Sequence, residues 1–236
     1  MLPLRDINPT RITPVVTLIL IGVNLFVFFA IQSRGTPEDQ QALVYERAAI
    51  ACEVTTGAPL GIDEILGDGC IAGAQDPIFP EKNVFLALFT SMFLHGSIGH
   101  VLFNMWFLWI FGNNVEEAYG HIGYLLMYLI GGLAATGAYI VMNPEATVPL
   151  VGASGAIAVT MGAYIVLFPG HRVLSLVGWF LLPIPAAVFL IFWFVAQFGL
   201  GGTNTAWEAH AAGFVFGAGI SLFLRAWLTR RIRAPR

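Results

Sequence analysis

The chain reads as an all-α, polytopic membrane protein with six spanning helices, and three observations lead there. Of its 236 residues 57% are hydrophobic and only 11% charged, with a mean hydropathy of +0.78, whereas an ordinary soluble domain carries about 25% charged residues. The charges are segregated, so that no Asp, Glu, Lys or Arg occurs from Asn83 to Val115. The apolar runs are divided by short polar, Gly- or Pro-bearing stretches and approach the about 20 residues that a helix needs to cross a bilayer core.

The first run, Pro14 to Ile31, follows a short segment (residues 1–13) bearing Arg5 and Arg11. It reads as an anchor and not as a signal peptide, because it is longer than an ordinary h-region, lacks a clean small-x-small cleavage site and precedes further spans. Residues 33–82, Ser33 to Lys82, form a polar loop with three basic and nine acidic residues, which belongs outside the membrane. Both cysteines, Cys52 and Cys70, fall there; whether they pair is left open, since that depends on an oxidising compartment. The core helices occupy 84–224. Val84 to Leu94 is expected to lie in or along the outer interface, and Ile98 to Phe111 to be the buried part of the second span. Gly112 to His121 reads as a short polar turn. Tyr124 to Met142 is the third span, its glycines and alanines suited to close helix contact. Ser154 to Phe168 is the fourth. Pro183 and Pro185 divide Val173 to Leu200 into an interfacial piece up to Leu182 and a fifth span from about Pro185. A glycine-rich turn, Gly199 to Thr205, leads to the sixth span, Ala209 to Leu224, which the arginines of the basic tail 225–236 terminate.

Six spans put both termini on one side. Arg5, Arg11, Arg172, Arg225, Arg230, Arg231, Arg233 and Arg236 flank that side, against Arg34, Arg47 and Lys82 in the long loop, so the termini are expected in the cytoplasm. The expected location is the plasma membrane, with membrane lipids as surroundings. A net charge of -3, with basic residues dense only at the C-terminal end, gives no surface for nucleic acid. The oligomeric state is not legible.

In this topology spans two, four and six all run inward from the outer face, so the polar residues near their starts share one layer. Those residues are His100 and Asn104, Ser154, and His210. His100 and Asn104 are four apart and share a helix face, whereas His95 and His100, five apart, do not. Ser154, Ala158 and Gly162 form one small-residue face and His210, Gly213 and Gly217 another, which lets two backbones approach closely enough for a serine hydroxyl to reach an imidazole. Taken singly, each residue has a plainer role: serine is a common N-cap, and His or Asn in a span often joins helices by hydrogen bonds. Glu208, two residues from His210, faces away from it, so a dyad without an acid is expected. Trp106, Trp109, Trp193 and Trp207 read as interface belt or packing.

The segments His95-Gly-Ser-Ile-Gly-His100-Val-Leu-Phe-Asn104, Gly152-Ala153-Ser154-Gly155 and Ala209-His210-Ala-Ala-Gly213-Phe-Val-Phe-Gly217 resemble the three motifs of the rhomboid intramembrane serine proteases, in the right order and across about Val84 to Leu224. Gly112 to Glu116 also resembles the turn after that family's second helix. The resemblance implies a six-transmembrane-helix rhomboid-like bundle and a serine endopeptidase cutting peptide bonds in or near transmembrane helices of client membrane proteins. It implies Ser154 as nucleophile, His210 as general base and acid, and an oxyanion hole from the Ser154 amide with His100 and Asn104. No cofactor and no metal are expected. Two features depart from the family: no Trp-Arg pair lies in the first loop, and the position one turn after the serine, where some members carry an aromatic, is Ala158. The rivals are an inactive rhomboid-like scaffold that binds transmembrane helices, and a transporter or a haem or metal protein using His95, His100, His121 and His210; no two of these have i, i+4 metal spacing.

Overall fold

Helix α7 (Ser154–Leu167) is the centre of the molecule: every residue from Ala156 to Tyr164 is buried, so it has neighbours on all sides, as a helix apolar around its whole circumference requires. The computed structural model describes residues 1–71, 76–199 and 206–233. Around α7 stand α5 (Ile98–Tyr119), α6 (His121–Met142), α8 (Ala186–Gly199) and α9 (Trp207–Arg233), and α1 (Val15–Phe26, continued as a π-helix through Gln32) packs on α5 and α6. Most of the expected Gly199–Thr205 turn lies outside the described residues, as does Arg236.

Among the described residues three helices are long and apolar enough to cross a membrane: Val15–Gln32, His121–Met142 and Trp207–Ile232. A bent pair, Leu86–Phe93 with Ile98–Tyr119, is long and apolar enough only when its two limbs, 88° apart, are taken together. Helices α7 and α8, with 14 residues each, are shorter apolar helices of about 21 Å. The short α4 (Leu86–Thr90) and the 3₁₀ turn Ser91–Phe93 form the first limb of the bend. This bend corrects one reading: residues 94–97 are not helical, and the His95 and His100 rings meet edge to face at 5.1 Å despite their spacing.

The expected turn at Gly112–His121 is largely helix. α5 runs on to Tyr119 and the chain reverses at Gly120, in the left-handed region at φ 74°. The polar residues that suggested a turn are buried and paired with the segment before and at the start of α1. Glu116 accepts from the amides of Val16 and Thr17, each at 2.8 Å, and from the Thr17 hydroxyl at 2.7 Å. It thereby supplies the N-cap that Pro14 cannot. Glu117 pairs with Arg11 at 2.8 Å and Asn114 with Asp6 at 2.5 Å.

The bundle is not all-α. β1 (Leu2–Asp6), β2 (Arg172–Val177) and β3 (Phe180–Pro185) form an antiparallel sheet in that order. It is held to the bundle end remote from Ser154, where Asp6 also accepts from the Tyr164 hydroxyl at 2.7 Å. Pro183 and Pro185, read above as helix breakers, sit on an edge strand, where a missing N–H costs no ladder bond. α9 likewise continues past Leu224 to Arg233.

The described residues of the long loop form a cap. α2 (Pro37–Arg47) starts in a capping box between Thr36 and Asp39, and α3 (Ala51–Thr56) is tied to the chain by a Cys52–Cys70 disulfide. Lys82 Nζ lies 2.5 Å from Glu53 Oε2 with both side chains nearly enclosed. Burial pushes the Glu53 carboxyl up and the Lys82 ammonium down, each against the pull of its partner. Lys82→Met leaves Glu53 unpaired, and a loss of about 3 kcal/mol is expected, read as a lower melting temperature of the detergent-solubilised protein at pH 7. A carboxyl whose folded pKa exceeds its unfolded one stabilises below the unfolded pKa and loses that contribution as pH rises. The deficit should therefore shrink towards pH 5, and Lys82→Met melting like the parent at pH 7 would refute the pairing.

Candidate active site

Three contacts fix the loop that delivers Ser154. The Cys52 amide donates to Ala146 O at 3.0 Å, Leu150 to Ala49 O at 2.8 Å, and Gly152 to Ser91 O at 3.0 Å. Gly152 stands at φ 124°, and a Cβ there would lie 2.9 Å from His100 Cε1 and Nε2 and 3.6 Å from Ser154 Oγ. Only glycine satisfies both constraints. Ser154 is then the first residue of α7, where helix amides lack intrahelical partners and the dipole favours negative charge.

The Ser154 hydroxyl lies 2.8 Å from His210 Nε2, a contact between residues 56 apart in sequence. It exists because α7 and α9 touch through their backbones. A Cβ on Gly213 would meet Gly155 O at 2.4 Å, one on Gly217 would meet Val159 O at 1.9 Å, and one on Gly162 would meet Phe214 O at 2.0 Å. The two small-residue faces therefore pack on one another, and Ala158 fills the space beside Gly213. An aromatic at Ala158 would push the helices apart.

His100 joins the same hollow, a cavity of about 610 Å³ lined by Ser154, His210, His100 and Gly152 with Tyr139, Asn143, Trp207 and Glu208. The His100 amide donates to the Ser97 hydroxyl at 3.1 Å, and Gly96 N–H donates to His100 Nδ1 at 3.4 Å. Asn104 is buried but not in the cavity wall; its side-chain nitrogen donates to His100 O at 3.0 Å. The structure thus brings Ser154, His210 and His100 together and sets Asn104 one turn behind them. Glu208 is turned to Asn143, whose amide donates to it at 3.2 Å.

Two neighbours of His210 are absent from the sequence reading. Gln197 Oε1 is 2.7 Å from His210 Nδ1, and the Trp193 ring lies 6.0 Å from the imidazole at 38°. Trp193 is therefore not belt alone. Gln197 had a signal: it is the single amide side chain in the apolar run Ala186 to Phe198, and a lone polar residue in a span marks a function. Among the described residues, the one grouping of potential metal ligands is Cys52, Glu64 and Cys70, and its two sulfurs are bonded to each other.

Residues 82–227 match the family model described as Rhomboid domain. The chain belongs to the rhomboid family. It is similar to the rhomboid protease GluP of Bacillus subtilis, 26% identical over 204 residues that make up 86% of this chain and 34% of that protein. It is also similar to the rhomboid protease GlpG of Pectobacterium atrosepticum, 29% identical over 169 residues, 67% of this chain and 55% of that one. The mitochondrial RHOMBOID-like protein 12 of Arabidopsis thaliana is 32% identical over 146 residues, 53% of this chain and 42% of that one. The chain spans about a third to about half the length of these relatives. The segment that matches contains Ser154, His210, His100, Asn104 and Gln197, and the residues that line the cavity all fall within it.

Gly217→Ala should separate α7 from α9, since its methyl has only the Val159 carbonyl to occupy. A loss of about 1–3 kcal/mol is expected by melting temperature, with Ser154 becoming less reactive toward a fluorophosphonate. Parent-like labelling and stability would show that the two backbones do not need to touch.

Proposed function

We propose that the chain is an intramembrane serine endopeptidase that hydrolyses peptide bonds in or beside transmembrane helices of client proteins. The observation that carries this reading is the 2.8 Å contact between the Ser154 hydroxyl and His210 Nε2. In this reading His210 Nε2 accepts the Ser154 proton as Oγ attacks the scissile carbonyl, then returns a proton to the departing amine. Water, activated by the same imidazole, releases the acyl group.

The tetrahedral oxyanion needs donors set in advance in a site of low dielectric. The amide of Ser154 at the α7 start is one. His100 is the second: with Nδ1 taken by the Gly96 N–H, its Nε2 carries the hydrogen, on the side next to Gly152 and the serine. Asn104, one turn behind the cavity wall, retains one amide hydrogen beyond that given to His100 O, and is the third only if its side chain turns toward the cavity when the oxyanion forms. Water reaches the cavity between the loop before Ser154 and the start of α9, so clients are expected to carry Gly, Pro or polar residues that let a helix unwind locally.

The membrane disposition belongs to the same proposal: six crossings by α1, α5, α6, α7, α8 and α9 in the plasma membrane, with cytoplasmic termini and a cavity open to the extracytoplasmic side. The Cys52–Cys70 disulfide at the cavity end of the bundle supports that side as the oxidising one.

Ser154→Ala and His210→Ala should each abolish cleavage of a transmembrane test substrate in proteoliposomes while leaving the melting temperature near that of the parent. Asn104→Ala should be milder, losing about 10² to 10³ in turnover. A fluorophosphonate should form its adduct on Ser154 and persist when other serines are removed; adduct elsewhere, or none, sinks the assignment.

A further inference from the structure

Gln197 reaches the imidazole from α8, a helix that the motif-bearing segments do not include. Its side-chain nitrogen donates to the carbonyl of Trp193, one turn earlier, at 3.0 Å. That bond fixes which end of the amide faces where, leaving Oε1 toward His210 Nδ1 at 2.7 Å. An amide oxygen only accepts, so Nδ1 carries the hydrogen, and in a neutral imidazole the lone pair is then on Nε2. Nε2 is the nitrogen 2.8 Å from the Ser154 hydroxyl.

We infer that Gln197 is a positioning residue that holds His210 in the tautomer protonated on Nδ1, leaving Nε2 free to accept the serine proton. This rests on the proposed roles of Ser154 and His210. Trp193 adds the second restraint. Its ring is tilted by 38° to the imidazole at 6.0 Å while Gln197 grips the edge, so one helix sets the tautomer and limits the room for the ring to turn. The other elements offer no substitute among the described residues. On α9 Glu208 is engaged with Asn143, α7 presents Gly155 and Ala158 beside Gly213, and His100 stands across Gly152. The role that an aromatic one turn after the serine would fill is thus taken over by α8.

Two measurements on the full chain in detergent test this. With ¹⁵N-labelled histidine, the ring nitrogen shifts of His210, assigned by loss of its signals in His210→Ala, should report a protonated Nδ1 and an unprotonated Nε2 in the parent protein. Gln197→Met keeps the length and removes the acceptor; it should give mixed tautomers and slow fluorophosphonate labelling of Ser154 by about tenfold. A parent protein with the hydrogen on Nε2 overturns the inference without recourse to any variant. So does Gln197→Met that labels at the parent rate with an unmixed Nδ1–H tautomer. Absence of label on Ser154 in the parent protein removes the dyad, and this role with it, whereas normal parent labelling that is indifferent to Gln197→Met removes the role of Gln197 alone.

Discussion

The contact on which the site depends is not the hydrogen bond between serine and histidine but the one beneath it, where the backbones of α7 and α9 meet with no side chain between them. Gly155 faces Gly213, Val159 faces Gly217 and Gly162 faces Phe214, so the two helices run parallel in register for two turns below the serine. In a bilayer such packing replaces the hydrophobic driving force that water would supply, and small residues are what permit it. A serine side chain reaches only one bond beyond its Cβ. Its hydroxyl can lie 2.8 Å from an imidazole of another helix only where the axes are this close.

The same economy governs the two ends of the bundle. At the cavity end the chain before Ser154 is irregular and carries polar backbone, which needs partners away from water. The cap supplies them through Ala49 and Cys52, and the limb before α5 supplies another through Ser91. At the opposite end the polar residues of α5 bind the segment that leads into α1, so a buried carboxylate, Glu116, serves as the cap of a helix about 100 residues earlier. Neither end could be loosened without tilting a helix that carries part of the site.

Much of this was legible in the sequence, and the limits have physical causes. Apolar runs and their breaks located the starts of the six long helices to within a few residues, because a bilayer forces backbone groups to pair within each span, but α5 and α9 run on past the ends read from the sequence. Ser154, His210 and His100 could be set in one layer from the alternation of spans alone. The turn at Gly112–His121 was misread because polarity was taken for exposure, whereas Asn114, Glu116 and Glu117 are buried and paired with residues far away in sequence. The sheet was missed because Pro183 and Pro185 disfavour a helix and an inner strand equally, and only the partner strands reveal an edge. Gln197 was visible as an oddity, but its partner was not, since α8 carries no motif and its register against α9 is set by packing.

The nature of that partner follows from the medium. In soluble serine proteases a carboxylate orients the imidazole, and its charge stabilises the imidazolium that forms as the serine loses its proton. An ionised carboxylate inside a bilayer carries a desolvation cost that a single imidazole, neutral for most of the cycle, does not offset. An amide offers the same acceptor oxygen without the charge, and its other end is satisfied locally by Trp193 O. What it cannot offer is full stabilisation of the transient cation. The indole ring of Trp193, 6.0 Å away and partly facing the imidazole, is the group available for that purpose, since the face of an aromatic ring attracts a cation most strongly when water is excluded. In the proposed mechanism Gln197 and Trp193 therefore divide between them what one carboxylate does in water: the first keeps Nε2 free to receive the serine proton, and the second eases the charge that appears when it arrives.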